Sequence, residues 1–257
     1  MKKNMLYIKK YSGFIISIVI GLLLYEEANY AYTYRTATAY SDHMIYRLIL
    51  SMGSGSSGWN GILFPILAAL PMGISYVREY RSGYLKLRLQ KMSRKRYVAV
   101  TLIQNAILGG LGLLIPYAVY CLHLYFEYGT KAYLNIKEGE TVIMFYPKLA
   151  ASNTIAYVCL LGAFVLLAGV TFATFAIGIS AWIKNTFLTL ILPFVLCIAM
   201  AILMPDNRFD LLLIFAPNGY AWASVPIILI MSGILILTGI ILFAVGVKKS
   251  MRSFRFL

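Results

Sequence analysis

The sequence predicts an all-α membrane protein: six spans, an N-terminal interfacial helix, and a short basic helix between spans two and three. Three observations predict it. Of 257 residues, 61% are hydrophobic and only 12% are charged, with a mean hydropathy of +0.79, where an ordinary soluble domain carries about 25% charged residues. So few polar side chains cannot cover a water-facing surface. That excludes a soluble globular enzyme, a disordered chain and a fibrous repeat. Second, the apolar residues gather into runs near the roughly 20 residues that a bilayer-crossing helix needs. Third, basic residues alternate in density from one connection to the next, as in membrane chains whose positive loops stay inside.

The elements follow in order. Residues 1–10 pair lysines with Met5, Leu6 and Ile8, a pattern for a segment lying at headgroup level. Span one covers 11–28. Its apolar core is followed by Tyr25-Glu26-Glu27, not by a small-residue cleavage site, so it reads as an uncleaved span. Residues 29–58 are polar and tyrosine-rich and end in a glycine/serine tract from Ser51 to Gly58, which predicts a flexible connection. Span two, 59–77, contains Pro65 and Pro71. Each removes a backbone donor and favours a kink. Span three, 97–126, exceeds the hydrocarbon thickness, so it tilts, projects or bends near Pro116. A polar loop, 127–152, leads to spans four (155–182) and five (186–204), joined by a tight Lys184-Asn185 turn. A semi-apolar insert, 211–219, precedes span six (225–247) and a basic tail from Lys248. The whole of 1–257 forms a single transmembrane domain.

Charge sets the orientation. With both termini inside, 17 of the 23 Lys and Arg residues fall on the inner side, accompanied by one acid, Glu79. That predicts a multi-pass protein of the cell membrane, of a bacterial plasma membrane type, with both termini cytoplasmic. A net charge of +14 would suggest nucleic acid in a soluble protein. Here retained basic loops account for it, so membrane lipid is an expected partner and nucleic acid is not. Cys121, Cys159 and Cys197 are odd in number, far apart and set in apolar runs, the pattern of reduced packing residues.

Chemistry-bearing motifs are scarce. There is no G-x-x-x-x-G-K-[ST] phosphate loop, and no Gly-Lys dipeptide at all, so ATP has no such cradle in this chain. No G-x-S-x-G nucleophile motif occurs. The two histidines, His43 and His123, lack the accompanying carboxylates a metal site requires, and the spans hold no ionisable relay. These absences predict a chain that is not an enzyme and holds no cofactor. Gln104 and Asn105 are the most polar pair within the apolar phase, read as an interhelical hydrogen bond or as lining of a passage.

The basic stretch 78–97 is the most informative. A helix from Tyr84 places Leu85, Leu89 and Met92 at i, i+4 and i+7 on one stripe. Lys86, Lys91, Arg94 and Lys95 lie elsewhere around it, and Leu87 falls off the stripe. A helix on the inner leaflet has this pattern, and so does one docked in a partner's groove. Gly83 suits the tight turn into the helix, and Glu79 either pairs with a neighbouring arginine or is a solvated charge.

With Glu79-Tyr-Arg-Ser-Gly83-Tyr-Leu-Lys-Leu-Arg-Leu followed by Ser93-Arg-Lys-Arg-Tyr97, the chain resembles the membrane subunits of the ABC type 2 transporter permease family. Glu79, Ser82, Gly83, Leu85, Ser93 and Arg94 fit that pattern, while Tyr84 stands where a small hydroxyl residue is common. The six-span plan and Ala216-Pro-Asn-Gly219 before the last span agree, so the resemblance covers nearly the whole chain, although its sharp motif is about twenty residues. It implies a coupling helix at 84–92, seated in a separate ATP-binding subunit that holds ATP and Mg. The implied contacts are Glu79, Arg81, Gly83, Tyr84, Leu85, Arg88, Leu89 and Met92, with Lys184 and Asn185 as a second contact. It further implies a second permease copy or paralogue, and a half-crossing hairpin on the outer side at the insert 211–219, which leaves open whether 207–222 is re-entrant. Pro217 and Asn218 there, with Gln104 and Asn105, would border the translocation path. Short outer loops suit a hydrophobic or amphipathic substrate taken from the bilayer, such as an antimicrobial peptide or a drug. The alternative is a non-transporting scaffold or regulatory subunit whose basic loop binds anionic lipid or a signalling partner. A third class, a membrane enzyme acting on lipid, has no visible catalytic cluster.

Overall fold

The computed structural model describes residues 2–35, 43–52, 59–130, 145–203, 207–219 and 223–254. Every regular element among them is helical. They are α1 (Lys2–Arg35), α2 (Met44–Ser51), α3 (Asn60–Ala69), α4 (Ser75–Arg81), α5 (Tyr84–Lys91), α6 (Arg94–Tyr128), α7 (Pro147–Ser152), α8 (Thr154–Ile183), α9 (Thr186–Leu203) and α10 (Val225–Phe254). Among the described residues, five helices are long and apolar enough to cross a membrane: Tyr11–Tyr30 within α1, then α6, α8, α9, and Val225–Met251 within α10. The chain is an all-α, multi-pass membrane protein.

Span two departs from the expected single helix. It is α3, a turn over 70–74, and α4, and α3 alone is too short to cross. The physical reason is Pro71, which cannot donate to the carbonyl of Leu67 four residues earlier. That orphaned carbonyl accepts the hydroxyl of Ser17, from α1, at 2.9 Å. Below the break the ladder resumes, with Gly73 N–H donating to the Ala69 carbonyl at 2.8 Å. A polar group unsatisfied at membrane depth is expensive, so Ser17→Ala is expected to cost about 1 kcal/mol. The melting midpoint of the detergent-purified chain should then fall by about 3 °C; an unchanged midpoint would remove Ser17 from this role.

Other expectations also change. The N-terminal segment is not a separate interfacial helix: α1 runs unbroken for 34 residues, about 50 Å. Part of the supposedly flexible connection 29–58 is α2, a buried helix on which Met44, Ile45, Leu48 and Ile49 face the core. Arg47 is buried too, donating to Asn29 Oδ1 at 2.9 Å with its guanidinium 5.2 Å from the Tyr128 ring centroid. Asn60 closes the connection by donating to the Ser51 carbonyl at 3.0 Å. The tract 53–58 and most of the 127–152 loop lie outside the described residues. The insert is three 3-10 turns, Asn207–Phe209, Leu211–Ile214 and Pro217–Gly219. Its Phe215 stacks on Phe64 at 4.5 Å, and Phe64 meets Phe172 edge-on at 4.9 Å.

Helix α8 is the axis of the bundle. It crosses α6 where a Cβ on Gly169 would sit 2.5 Å from the Gly109 carbonyl oxygen, so two backbones touch directly. Small residues at such crossings supply the close packing that holds helices together in lipid. It meets α10 in the same way, with Gly178 against Gly239. Direction follows from successive levels. Ser17, Gly21 and Tyr25 of α1 meet Gly112, Pro116 and Tyr120 of α6, so these helices are parallel. Gly178 and Ala181 of α8 meet Gly239 and Gly246 of α10, so these are parallel as well. The start of α1, the start of α6 and the ends of α8 and α10 therefore share one end of the bundle, the end that carries the basic segment.

Candidate functional site at the basic end of the bundle

Helix α4 stops at Ser82, and Gly83 reverses the chain with φ 72, a left-handed conformation that costs glycine no Cβ clash. Its N–H donates to the Tyr80 carbonyl at 3.2 Å. Helix α5 then runs for eight residues and yields to extended Met92. Ser93 starts α6, its hydroxyl accepting the Arg96 N–H at 3.4 Å, as N-cap serines do. The result is a tight elbow between α4 and α6.

One carboxylate ties the elbow together. Glu79, near the end of α4, accepts Arg88 Nη1 from α5 and the Tyr97 hydroxyl from α6 at 2.8 Å. Arg88 also lies over the Tyr97 ring, 5.0 Å from its centroid. Charge-assisted bonds of this kind are the strong ones, and both charged side chains are only about one-fifth exposed. Three helices thus converge on a single acid.

The apolar stripe of α5 faces inward. Leu85 is fully buried in a cluster with Tyr76, Tyr97, Ile177, Ala181, Phe243 and Val247, and Leu89 and Met92 pack against the same cluster. The outward face is different. Tyr84 is 53% exposed and Leu87 is 55% exposed, with Lys86 and Lys91 exposed beside them. Residues that sequence periodicity marked as contact residues are anchors in this structure, and Leu87, which falls off the stripe, is presented to the surroundings.

The structure brings the Lys184 turn to this elbow. Lys184 closes α8 with φ 51, its carbonyl accepts Arg81 Nη2 at 3.0 Å, and its ammonium lies 3.8 Å from the Tyr80 ring centroid. Asn185 has a capping role: its side-chain oxygen accepts the N–H groups of Phe187 at 3.0 Å and Leu188 at 3.3 Å, starting α9.

The four residues expected on a path are not brought together. Gln104 is exposed on α6, whereas Asn105 is fully buried with neither amide atom partnered, as is the hydroxyl of Thr101 one turn below. Pro217 and Asn218 are buried in the insert, where Asn218 accepts the Tyr157 hydroxyl. Gly109, one turn above Asn105, lies against Ala173, and Tyr157 is roughly 24 Å away along α8. His123 faces Glu26 at 3.9 Å and Glu127 at 3.2 Å, and among the described residues no such group is arranged to hold a metal. Between α6 and α8 toward that opposite end lies a groove of about 710 Å³, lined by apolar side chains such as Leu114, Cys121, Ile155 and Leu166.

Sequence reasoning missed the aromatic frame of the elbow. Tyr76 stacks beside Tyr80 at 6.4 Å, meets Phe243 edge-on at 5.5 Å and donates to Ser250 Oγ at 2.8 Å. Trp182 donates to the Leu242 carbonyl at 2.9 Å. The signal was present as aromatic residues at span ends, where rings with one polar edge belong. No known family model, curated protein or solved structure matches this chain.

Proposed function

We propose that this chain is the transmembrane permease subunit of an ATP-driven exporter, worked from the cytoplasm by a separate ATPase subunit. The observation that supports this most is the outward face of α5. A short helix with exposed Tyr84 and Leu87 between lysines is fastened to α4 and α6 through Glu79, so a push on it is delivered to crossing helices. In this reading the basic end faces the cytoplasm, both termini lie there, and α3 with α4 serve as a broken second of six spans. A second copy or a paralogue completes the unit, and ATP and Mg bind in the partner subunit. The apolar groove between α6 and α8 supports a hydrophobic or amphipathic substrate drawn from the bilayer, such as a peptide or a drug.

The test is capture of the ATPase. Leu87→Asp puts a charge in the middle of the exposed face without entering the core, and loss of one interface anchor of this kind costs at least about 1.4 kcal/mol, a tenfold drop in recovery. Equal recovery of an ATPase by parent and variant would reject α5 as the contact. Leu85→Asp would be uninformative, because Leu85 is buried in the chain's own cluster. Binding to anionic vesicles with no ATPase captured at all would support the scaffold instead. Orientation is read separately: a cysteine at Leu87 should be labelled by impermeant reagents only from inside, and one at Lys148 only from outside. The reverse pattern would overturn the topology.

A further inference from the structure

At the basic end, a pocket of about 150 Å³ lies between the end of α8 and the end of α10, lined by Ala181, Trp182, Lys184, Gly246, Lys249 and Ser250. Its floor is closed by the approach of Gly246 to Ala181. Two of its six lining residues are lysines, and each ammonium is placed by an aromatic face: Lys249 lies 5.1 Å from the Trp182 ring centroid and Lys184 lies 3.8 Å from that of Tyr80. The ion pairs among the described residues join Arg88 to Glu79 and His123 to Glu26 and Glu127; neither lysine takes part in one. Two lysines therefore border one small pocket, and no carboxylate is among its lining residues, so an anion there would gain from both.

The pocket's depth selects among anions. It sits where α8 closes at Lys184 and the apolar run of α10 gives way to Lys248-Lys249, with the amphipathic ring of Trp182 on its rim, the arrangement found at headgroup level. Its volume accommodates a phosphodiester and not an acyl chain. The aromatic faces do not form a cage for a choline group, because lysines already occupy them. We infer that this pocket, formed by Lys184, Lys249 and Trp182, binds the phosphate of an anionic phospholipid headgroup from the leaflet that faces the basic end. The bound lipid would clamp α10 to the α8 turn at the residue whose carbonyl already holds Arg81, placing lipid composition in contact with the elbow. This site is separate from the exposed face of α5 and does not depend on the exporter reading.

The experiment is native mass spectrometry of the full chain released from detergent, offered phosphatidylglycerol, phosphatidylcholine of the same acyl chains, or inorganic phosphate. The parent should retain phosphatidylglycerol in preference to phosphatidylcholine. Each lysine near the membrane surface contributes a factor of about 5, so Lys249→Gln should lower retention about fivefold and Lys184→Gln with Lys249→Gln about 30-fold. Lys249→Arg should retain the lipid, and Lys86→Gln with Lys91→Gln, on the exposed face of α5, should leave retention unchanged. If the double variant does not fold, the contrast between Lys249→Gln and Lys249→Arg decides. Undiminished retention by Lys249→Gln, equal retention of the two lipids by the parent, or displacement of the lipid by millimolar inorganic phosphate would each overturn the assignment.

Discussion

Glu79→Gln is expected to free the elbow while leaving the bundle intact. The substitution removes the charge that Arg88 and the Tyr97 hydroxyl share and leaves the guanidinium half-shielded without its counter-ion. Breaking a fully buried pair costs about 3–5 kcal/mol; with side chains about one-fifth exposed, about 2 kcal/mol is the fitting figure. That raises the population of the opened elbow by roughly 30-fold. Trypsin cleavage at Lys86, Arg88 or Lys91 should accelerate by the same factor under conditions where opening is fast, with the melting midpoint lowered by about 6 °C. Leu87→Ala, on the outward face, should leave the cleavage rate alone. An unaltered rate in the glutamine variant would mean that Gly83 and the buried Leu85 hold the elbow without the acid.

Gly169→Ala is expected to have the larger effect on the whole molecule. The added methyl would meet the Gly109 carbonyl oxygen at 2.5 Å and the Gly110 Cα at 2.7 Å. Both are backbone atoms, so no rotamer change relieves the clash and α6 must move off α8. Overpacking of this kind costs about 3 kcal/mol, which lowers the melting midpoint in detergent by about 10 °C. Gly233→Ala is the matched control, since a Cβ there meets nothing within 4 Å, and it should hold or slightly raise the midpoint through reduced helix entropy. Similar behaviour of the two variants would show that the α6–α8 crossing yields to an added methyl.

How much of this was legible in the sequence depends on the range of the cause. The long helices were, because an apolar run of bilayer length is a local signal and α8 and α9 begin and end within one or two residues of their expected bounds. Helix α2 was not. Its apolar residues recur at helical spacing over only eight positions, too few to stand out from the polar, tyrosine-rich residues around them. Pro71 announced a kink, but the hydroxyl that compensates for it lies fifty residues away in the chain, and no local pattern points to Ser17. For the candidate site, periodicity marked Leu85, Leu89 and Met92, which do pack on one cluster, although Met92 lies just past the end of α5 in extended backbone. It could not say what covers that stripe, since an apolar face looks the same whether a partner or the chain's own Tyr97 and Phe243 lie over it. The exposed Leu87 was visible only as an exception. The pairing of Arg81 with the Lys184 carbonyl, across 103 positions, was beyond any sequence pattern.

That last pairing has a mechanical consequence. A guanidinium grips the very backbone atom at which the chain reverses, and the ammonium of the same lysine rests on a ring one residue before the guanidinium. Two corners far apart in the chain are thereby welded into one handle. Torque applied at either corner is shared by four rods instead of two, so a protein grasping this handle would have to turn them in unison.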